Sequence, residues 1–428
     1  SPVYFILVMS YTHNIIFREV LIMLKNIENL IIFRSILQDN LIKETLSCLN
    51  NPQEAIKSQV INDFIVKAEK LGLKNNILNS YIIYLLSQKP NIISDLAMQD
   101  YIIGTSLNQA LLNDMTILKS LLQISPSSFL SSTILDEYIP SSESSNQAFI
   151  NLYNKIKSSL QVEDSQILGN ILIEHYQTYG IGDLSNYKAF RWDKEKNLLG
   201  IKNFDEITFN DLVGYERQKN ILIANTLAFV NKKPANNVLL IGSRGTGKSS
   251  SVKALANEYF NIGLRLIEIS KAQLCQLPEI MDFLRNTNKR FIIFLDDLSF
   301  EDYEVEYKYL KSIIEGGVES KPNNVLIYAT SNRRHLIKET WDDRPEHNEI
   351  HTNDSINEKI SLSDRFGITL TYLSPNQEEY LNIVFALAEK NNINNPDLRQ
   401  DALRWEMSHS GRSGRVAKQF IDNLLGNI

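Results

Sequence analysis

The sequence contains little cysteine and no apolar run long enough to cross a membrane. Its two cysteines, Cys48 and Cys275, lie far apart and lack metal-ligand spacing, which argues against a disulfide scaffold or a zinc site and fits a reducing compartment. The apolar run from Val3 to Met9 is too short for a transmembrane helix, and no Lys or Arg precedes it as in a signal peptide. These absences predict a cytoplasmic protein without a membrane anchor.

An excess of basic residues is also lacking. The formal net charge is −6 and the sequence pI is about 5.7. Proteins that bind nucleic acid phosphates usually have a basic face, so nucleic acid is a disfavoured partner, although a local basic patch would be compatible with this balance. Hydrophobic residues at 43% and charged residues at 22% are typical of a globular protein. A chain of 428 residues exceeds one ordinary core and predicts two or three domains.

Residues 1–180 have helical periodicity and carry no motif with evident chemistry. Within residues 17–25, apolar side chains recur at a spacing of three to four, with polar residues between them. Breaks fall at Pro52, at Pro90 and through the Ser- and Pro-rich stretch 125–145. We predict an all-helical N-terminal domain that docks a protein partner or supports oligomerisation.

Short runs of β-branched and aliphatic residues alternate with helical periodicity between residues 181 and 373. This alternation is typical of a parallel sheet flanked by helices, and it predicts an α/β domain. Residues 374–428 return to helical periodicity and predict a small helical lid domain. The five expected strands are Asn237–Ile241, Leu264–Ile269, Phe291–Leu295, Val325–Ala329 and Ile368–Tyr372.

A glycine-rich loop follows the first of these strands and leads into a helix that begins at Lys248. Its glycines allow backbone N–H groups to turn inward around phosphate oxygens, and the helix N-terminus adds the positive end of its dipole. We expect Lys248 to reach the β- and γ-phosphates of ATP and the Ser249 hydroxyl to ligate Mg²⁺. The predicted phosphate site comprises Gly242, Ser243, Arg244, Gly245, Thr246, Gly247, Lys248, Ser249 and Ser250.

Polar residues follow two further strands. Asp296 and Asp297 come directly after an apolar strand, at the carboxyl end where ligands bind in open parallel sheets. Asp296 is the candidate for holding the hydrated Mg²⁺, and Asp297 is the candidate base that orients the attacking water. Asn332 follows the next strand and is a candidate for hydrogen bonding to that water or to the γ-phosphate.

Three arginines are candidates for stabilising the charge on the transferred phosphoryl group. Arg365 precedes the last strand, and Arg415 begins a predicted helix, with Arg412 as a near-equivalent competitor. A guanidinium in this role is worth roughly 10³–10⁵ in rate in other nucleotide hydrolases. The alternative for each is a surface arginine in a salt bridge.

The order of these motifs resembles that of the AAA+ ATPases. Within them, the sequence is most similar to a bacterial family known only as a domain of unknown function, over roughly residues 175–428. The residues that carry the resemblance are Asp211-Leu212-Val213-Gly214, Gly245-Thr246-Gly247-Lys248-Ser249-Ser250, Asp296-Asp297-Leu298-Ser299-Phe300, Ala329-Thr330-Ser331-Asn332, Ser363-Asp364-Arg365-Phe366-Gly367 and Gly411-Arg412-Ser413-Gly414-Arg415.

The resemblance implies further roles for these residues. Val213 and Gly214 would line the adenine pocket, Asn332 would be sensor 1, and Arg415 would be sensor 2. Arg365 would be the arginine finger that acts on ATP held by a neighbouring subunit. This implies a homo-oligomer, a ring or an open helix and most often a hexamer, whose head-to-tail interfaces bind ATP or ADP with Mg²⁺.

Two departures from the AAA+ pattern and one insertion modify these expectations. The second acidic residue is Asp297 where the superfamily usually has glutamate, so slow hydrolysis or assistance from Glu301 is expected. The segment 270–275 lacks the aromatic residue of protein-threading machines, which disfavours threading. In the insertion 338–361, His347 and His351 have a spacing that can bind metal on a helix. Turn-rich surroundings and the lack of a third ligand favour a mobile loop instead.

Three functions fit this reading of the sequence. An ATPase that hydrolyses Mg-ATP to remodel or load a partner macromolecule is favoured. The alternative is a nucleotide-dependent switch or oligomeric scaffold with slow or no hydrolysis, which the shorter side chain of Asp297 allows. A nucleic-acid motor is weakened by the acidic pI and by the lack of an obvious basic or aromatic strand-binding motif.

Overall fold

The structure is a computed structural model that describes residues 19–195, 197–300, 306–315, 321–333, 336, 362–409 and 411–426. The apolar run at the N-terminus, Glu301 and the insertion with its two histidines lie outside the described residues. The chain divides into two compact units, Ser1–Asn186 and Tyr187–Ile428. The three domains expected from the sequence, 1–180, 181–373 and 374–428, remain a prediction.

The first unit is helical throughout its described part. Several helices begin at an Asp or Asn whose side chain accepts hydrogen bonds from the first-turn amides, as Asp39, Asn76 and Asn146 do. After a helical stretch at residues 19–25 and two 3₁₀ turns, Asn26–Asn29 and Arg34–Gln38, the helices are α1 (Asn40–Asn50), α2 (Glu54–Leu71), α3 (Ile77–Gln88), α4 (Ile92–Ala97), α5 (Thr105–Leu121), α6 (Ser127–Leu130), α7 (Gln147–Ser159), α8 (Gln166–Tyr179) and α9 (Asp183–Asn186).

A buried carboxylate joins two parts of this first unit. Asp114 on α5 is fully buried and accepts hydrogen bonds from the backbone N–H groups of Ile31, Ile32 and Phe33, at 2.9, 2.7 and 3.1 Å. Because these amides satisfy its lone pairs, the polar side chain can be buried in the core. Asp114 therefore has a structural role, and the described part of this unit holds no group of three or more His, Cys, Asp or Glu that could bind a metal.

The second unit contains a seven-stranded sheet where the sequence predicted five strands. The predicted strands are confirmed, with bounds that differ by at most two residues. The additional strands β1 and β2 form an antiparallel hairpin at one edge, and β1 pairs in parallel with β4. The strands are β1 (Ala189–Asp193), β2 (Asn197–Gly200), β3 (Val238–Gly242), β4 (Leu264–Glu268), β5 (Arg290–Leu295), β6 (Val325–Ser331) and β7 (Ile368–Tyr372).

The strand order brings the predicted motifs together at the carboxyl ends of neighbouring strands. It runs β2-β1-β4-β5-β6-β3-β7, with β3 between β6 and β7 and parallel to both. Strand β5 is parallel to β6 on its other side. The carboxyl ends of β3, β5 and β6 are therefore neighbours, and they deliver the glycine-rich loop, the two aspartates and Asn332 to the same place.

Helices flank the sheet and form the predicted lid. The lid has its own core, in which Tyr380, Leu381, Val384, Ala417 and Phe420 are buried. In the described part of the chain, no helix is both long and apolar enough to cross a membrane. The helices of this unit are α10 (Glu216–Val230), α11 (Lys248–Tyr259), α12 (Leu277–Arg285) and α13 (Tyr307–Glu315), followed in the lid by α14 (Gln377–Lys390), α15 (Leu398–Ser408) and α16 (Gly414–Gly426); 3₁₀ turns span Phe209–Asp211, Phe260–Ile262 and Lys271–Gln276.

Candidate functional site

The glycine-rich loop has a backbone path that its glycines make available. Gly242 ends β3 with a φ of 134°, and a Cβ atom there would lie 1.9 Å from the carbonyl oxygen of Tyr372. Gly245 and Gly247 have φ values of 74° and 89°, in the left-handed region that glycine occupies without penalty. The loop then enters α11 at Lys248, where the sequence predicted the helix start. The glycines thus allow the backbone path that a phosphate-binding loop before a helix N-terminus requires.

Lys248 lies buried at the centre of this loop. Its Nζ donates hydrogen bonds to the carbonyl oxygens of Gly242 and Ser243 at 2.8 and 2.7 Å, and to Oδ1 of Asn332 at 3.2 Å. Burial lowers the pKa of Lys248, and the nearby charges of Asp297 and Asp296 act in the opposite direction. The ammonium is therefore held by neutral oxygens that anionic phosphate oxygens can replace.

Oxygen atoms converge on Asp296 at the end of β5. Its Oδ1 accepts hydrogen bonds from the hydroxyls of Ser249 and Thr330, both at 2.6 Å. Hydroxyl and carboxylate oxygens are the ligands that Mg²⁺ prefers, and Mg²⁺ in nucleotide sites takes few protein ligands because phosphates and waters supply the rest. Among the described residues, no group of three or more His, Cys, Asp or Glu is arranged to hold a metal alone. The residues present fit Mg²⁺ bound together with a nucleotide.

Asp297 and Asn332 are brought together beside this cluster. Asp297 has a φ of 50°, a left-handed conformation that Asp tolerates better than most residues, and its backbone N–H donates to the Thr330 hydroxyl at 2.9 Å. The Nδ2 of Asn332 donates to Oδ1 of Asp297. Asn332 thus bridges Lys248 and Asp297. The sequence did not single out Thr330, because only the fold shows that its hydroxyl contacts both neighbours.

A cavity of about 1010 Å³ extends from the phosphate loop to the lid. The predicted Val213 and Gly214 line it, and Val213 also packs against the lid core. Residues 244–250 of the predicted phosphate loop, both aspartates, Asn332 and Arg415 line it too, whereas other lining residues come from segments without a motif and were not predicted. Those that matter here are Tyr215 and Lys219 beside Gly214, and Ile383, Leu387 and Ile421 from the lid. The cavity therefore has a cationic, polar end and an apolar end, as a nucleotide needs.

Arg415 and Arg412, the two candidates for the same role, have different contacts in the lid. Arg415 lines the cavity, and its backbone N–H donates to the carbonyl oxygen of Gly245 at 3.2 Å. Arg412 instead forms a salt bridge with Glu406, with 2.6 Å between Nε and Oε2. Only Arg415 is placed toward the phosphate loop.

This difference predicts opposite outcomes for two alanine variants. In the ATPase that the sequence predicts, Arg415→Ala should reduce ATP turnover by about tenfold or more, because it removes a cation from the end of the cavity beside the glycine-rich loop. Arg412→Ala should leave turnover per folded subunit unchanged and lower the melting temperature, because it leaves Glu406 without its cation. Steady-state hydrolysis and thermal unfolding of both variants test the pair. Equal loss of turnover in both would contradict the placement.

Arg365 lies at the opposite ends of the strands from the phosphate loop, where β3 and β7 begin. It precedes the first residue of β7, whereas the phosphate loop follows the last residue of the parallel strand β3. Five strand residues span on the order of 16 Å. Arg365 is not among the described residues that line the cavity of its own chain. Of the predicted site residues, it alone stands apart from the others.

Sequence and structure comparisons place this chain among known proteins. Residues 185–428, more than half of the chain, match the family described as "Protein of unknown function (DUF815)". No protein with a curated function matches the sequence. A mutant of RuvB from Thermotoga maritima is 16% identical, with a TM-score of 0.34 over 49% of this chain and 62% of the RuvB chain, less than two thirds of its length. The AAA domain of FIGL-1, in complex with ADP, is 20% identical, with a TM-score of 0.35 over 50% of this chain and 71% of that chain.

Proposed function

This chain belongs to the DUF815 family, and we propose that it is a Mg-ATP-binding AAA+ ATPase that hydrolyses ATP to remodel or load a partner macromolecule. One observation carries the proposal. Lys248, Ser249, Asp296, Asp297 and Asn332 meet at the carboxyl ends of three adjacent strands, at one end of a cavity large enough for a nucleotide. The alternative is a purely structural cluster of polar and charged side chains, and such a cluster would not require the glycine-rich loop beside it.

The chemistry follows from the position of each group. Lys248 and the loop N–H groups bind the phosphate oxygens, and Arg244 and Arg415 add positive charge at the same end of the cavity. The Ser249 hydroxyl and the Asp296 carboxylate would hold Mg²⁺, which when bound neutralises charge on the phosphates. Asp297 orients a water and accepts its proton, and Asn332 fixes that carboxylate.

A second candidate function has its own supporting observation. The Asp297 carboxylate is engaged by the Asn332 amide, and it is one methylene shorter than the glutamate usual at this position. A carboxylate that is short and already hydrogen-bonded reaches a water less readily, which would slow hydrolysis. The chain would then act as a nucleotide-dependent switch or oligomeric scaffold.

Assembly into a homo-oligomer is part of the proposal. Arg365 lies at the amino ends of the strands, whereas its own cavity lies at their carboxyl ends. It would therefore complete the site of a neighbouring subunit. Such a head-to-tail contact forms a ring, most often a hexamer, or an open helix. The helical first unit would dock the protein partner, in the reducing cytoplasm. Nucleic acid remains a less favoured partner; salt-dependent DNA binding would restore that hypothesis, and no binding at low salt would end it.

Replacement of Asp297 by asparagine separates the two functions. Asn is the same size but cannot accept a proton, so we expect turnover to fall by about 10²-fold while ATP affinity changes little. The measurement is steady-state phosphate release together with equilibrium ATP binding, on wild type and Asp297→Asn. Wild-type binding without turnover would favour the switch. Turnover that persists unchanged in the variant would exclude Asp297 as the base.

A further inference from the structure

The segment that carries Arg365 is attached to the start of β3 by two close contacts. The backbone N–H of Ile368, the first residue of β7, donates to the carbonyl oxygen of Asn237 at 3.2 Å. Gly367 lies so close to Asn236 that a Cβ atom on this glycine would be 2.4 Å from Oδ1 and 2.8 Å from Cβ of Asn236. Gly367 is not among the residues with a positive φ, so the contact, and not the backbone conformation, requires glycine here.

The backbone of Asn236 is itself fixed by Asn225 of α10. Its N–H donates to Oδ1 of Asn225 at 3.0 Å, and its carbonyl oxygen accepts from Nδ2 of Asn225 at 2.9 Å. The same Nδ2 donates to the buried Tyr328 hydroxyl on β6, also at 2.9 Å. Because the backbone is held, rotation of the Asn236 side chain can move Oδ1 away from Gly367 but cannot move Cβ. The close contact therefore fixes the segment beside it.

A lysine that is largely removed from water supports Asn237. Nζ of Lys321 donates to Oδ1 of Asn237 at 2.7 Å, and the same oxygen accepts from the backbone N–H of Ile327 on β6 at 2.9 Å. Burial lowers the pKa of Lys321 to about 8, because desolvation disfavours the charged form. Retaining a cation at this cost, with a neutral amide as its hydrogen-bond partner, indicates a role beyond packing.

We infer that Asn236, Asn237 and Lys321 are positioning residues for the arginine finger, an inference that rests on the proposed function. A guanidinium stabilises a transferring phosphoryl group only when it is correctly placed, and a displacement of about 1 Å can cost about 10²-fold in rate. None of the three residues is among the described residues that line the cavity of their own chain. They should therefore affect turnover at the neighbouring subunit's site and leave ATP binding in their own subunit unchanged.

Gly367→Ala in the full chain is the first test. The added methyl group collides with the Cβ of Asn236, so the segment with Arg365 must shift. We expect ATP turnover to fall by about 10–10²-fold and the ATP dissociation constant to change by less than about twofold. Adding Asn236→Gly removes the obstructing atoms and should restore most of the turnover of Asn236→Gly alone. Gly426→Ala, where a Cβ atom meets nothing within 4 Å, is the matched control and should behave as wild type.

Lys321→Met keeps the inference testable if Gly367→Ala fails to fold. Met retains the apolar stem and removes the ammonium that supports Asn237. Turnover should fall by about threefold to tenfold without loss of ATP affinity, and Lys321→Arg, which keeps a donor, should retain most of it. Lys233→Met removes an exposed lysine from the loop before β3 and should behave as wild type.

Mixing and double substitution distinguish positioning from a general loss of structure. Gly367→Ala subunits keep Asp297, so mixing them with Asp297→Asn subunits should give more activity than either variant alone. Mixing them with Arg365→Ala subunits should give no gain, because neither chain then supplies a correctly placed finger. The double variant Arg365→Ala/Gly367→Ala should be no slower than Arg365→Ala alone, since both changes remove the same interaction.

Normal turnover by the folded Gly367→Ala and Lys321→Met variants would overturn the inference. A loss of ATP affinity as large as the loss of turnover would also overturn it, as would additive losses in the Arg365→Ala/Gly367→Ala double variant. A wild type that does not hydrolyse ATP, or an Arg365→Ala variant with normal turnover, would refute the proposed function and this inference with it.

Discussion

Replacing Arg365 with alanine should lower ATP turnover by about 10³-fold and leave ATP affinity nearly unchanged. The reason is its place in the fold. Arg365 precedes β7, at the strand ends opposite its own phosphate loop, and it is not among the described residues that line the cavity of its own subunit. In an oligomer it would neutralise charge that develops only in the neighbour's transition state, and such a contact changes kcat rather than binding.

A mixing experiment identifies the shared site. An Arg365→Ala subunit keeps its own Asp297, and an Asp297→Asn subunit keeps its own Arg365. A mixture of the two should therefore be more active than either variant alone, because some sites combine one intact residue from each chain. Arg404→Ala, which removes an exposed arginine of the lid, is the matched control. It should turn over ATP like wild type, and mixing it with Asp297→Asn should add no activity beyond the sum of the two. Normal turnover by the Arg365→Ala variant alone would show that Arg365 is not the arginine finger.

Replacing Lys248 with alanine should weaken ATP binding by about 10²–10⁴-fold. Lys248 is the buried cation of the loop, and it is held in place by the carbonyl oxygens of Gly242 and Ser243. Its removal takes away the charge that would face the β- and γ-phosphates and leaves those carbonyls unpaired. Equilibrium titration with ATP measures the loss, and inorganic triphosphate should lose affinity to a similar degree.

The control for Lys248→Ala lies on the same helix. Lys253 forms a 3.6 Å pair with Asp205 and remains partly exposed, so Lys253→Ala should bind ATP within about twofold of wild type. Melting temperatures of the two variants show whether either has lost its fold. Tight ATP binding by a folded Lys248→Ala protein would refute the phosphate-loop assignment.

The phosphate end of the site could be predicted from the sequence because its residues are contiguous. The loop from Gly242 to Ser249 joins a strand to a helix, and each required residue lies a fixed distance along the chain from the next. Asp296 and Asn332 were found because each follows an apolar strand, and parallel strands end at a common edge. The roles assigned to these residues stay proposals, but the structure brings them together.

Other parts of the site depend on contacts between distant segments. Thr330 lies in a recognised motif but received no role from it, and Lys219 lies outside every motif. Their contacts, with Asp296 and with the Leu212 carbonyl, appear only in the fold. The choice between Arg412 and Arg415 likewise depended on Glu406, which the sequence did not connect to either. The hairpin β1–β2 was missed because its strands are short and mix polar with apolar residues, so neither resembles a buried parallel strand.

The most direct measurement is steady-state ATP hydrolysis by the purified chain across a concentration series, with Asp297→Asn beside it. An oligomeric ATPase with shared sites should show a rate per subunit that rises with concentration until assembly is complete, and the rate should nearly vanish in the variant. ATP bound tightly at every concentration but never turned over would contradict the ATPase and leave the switch.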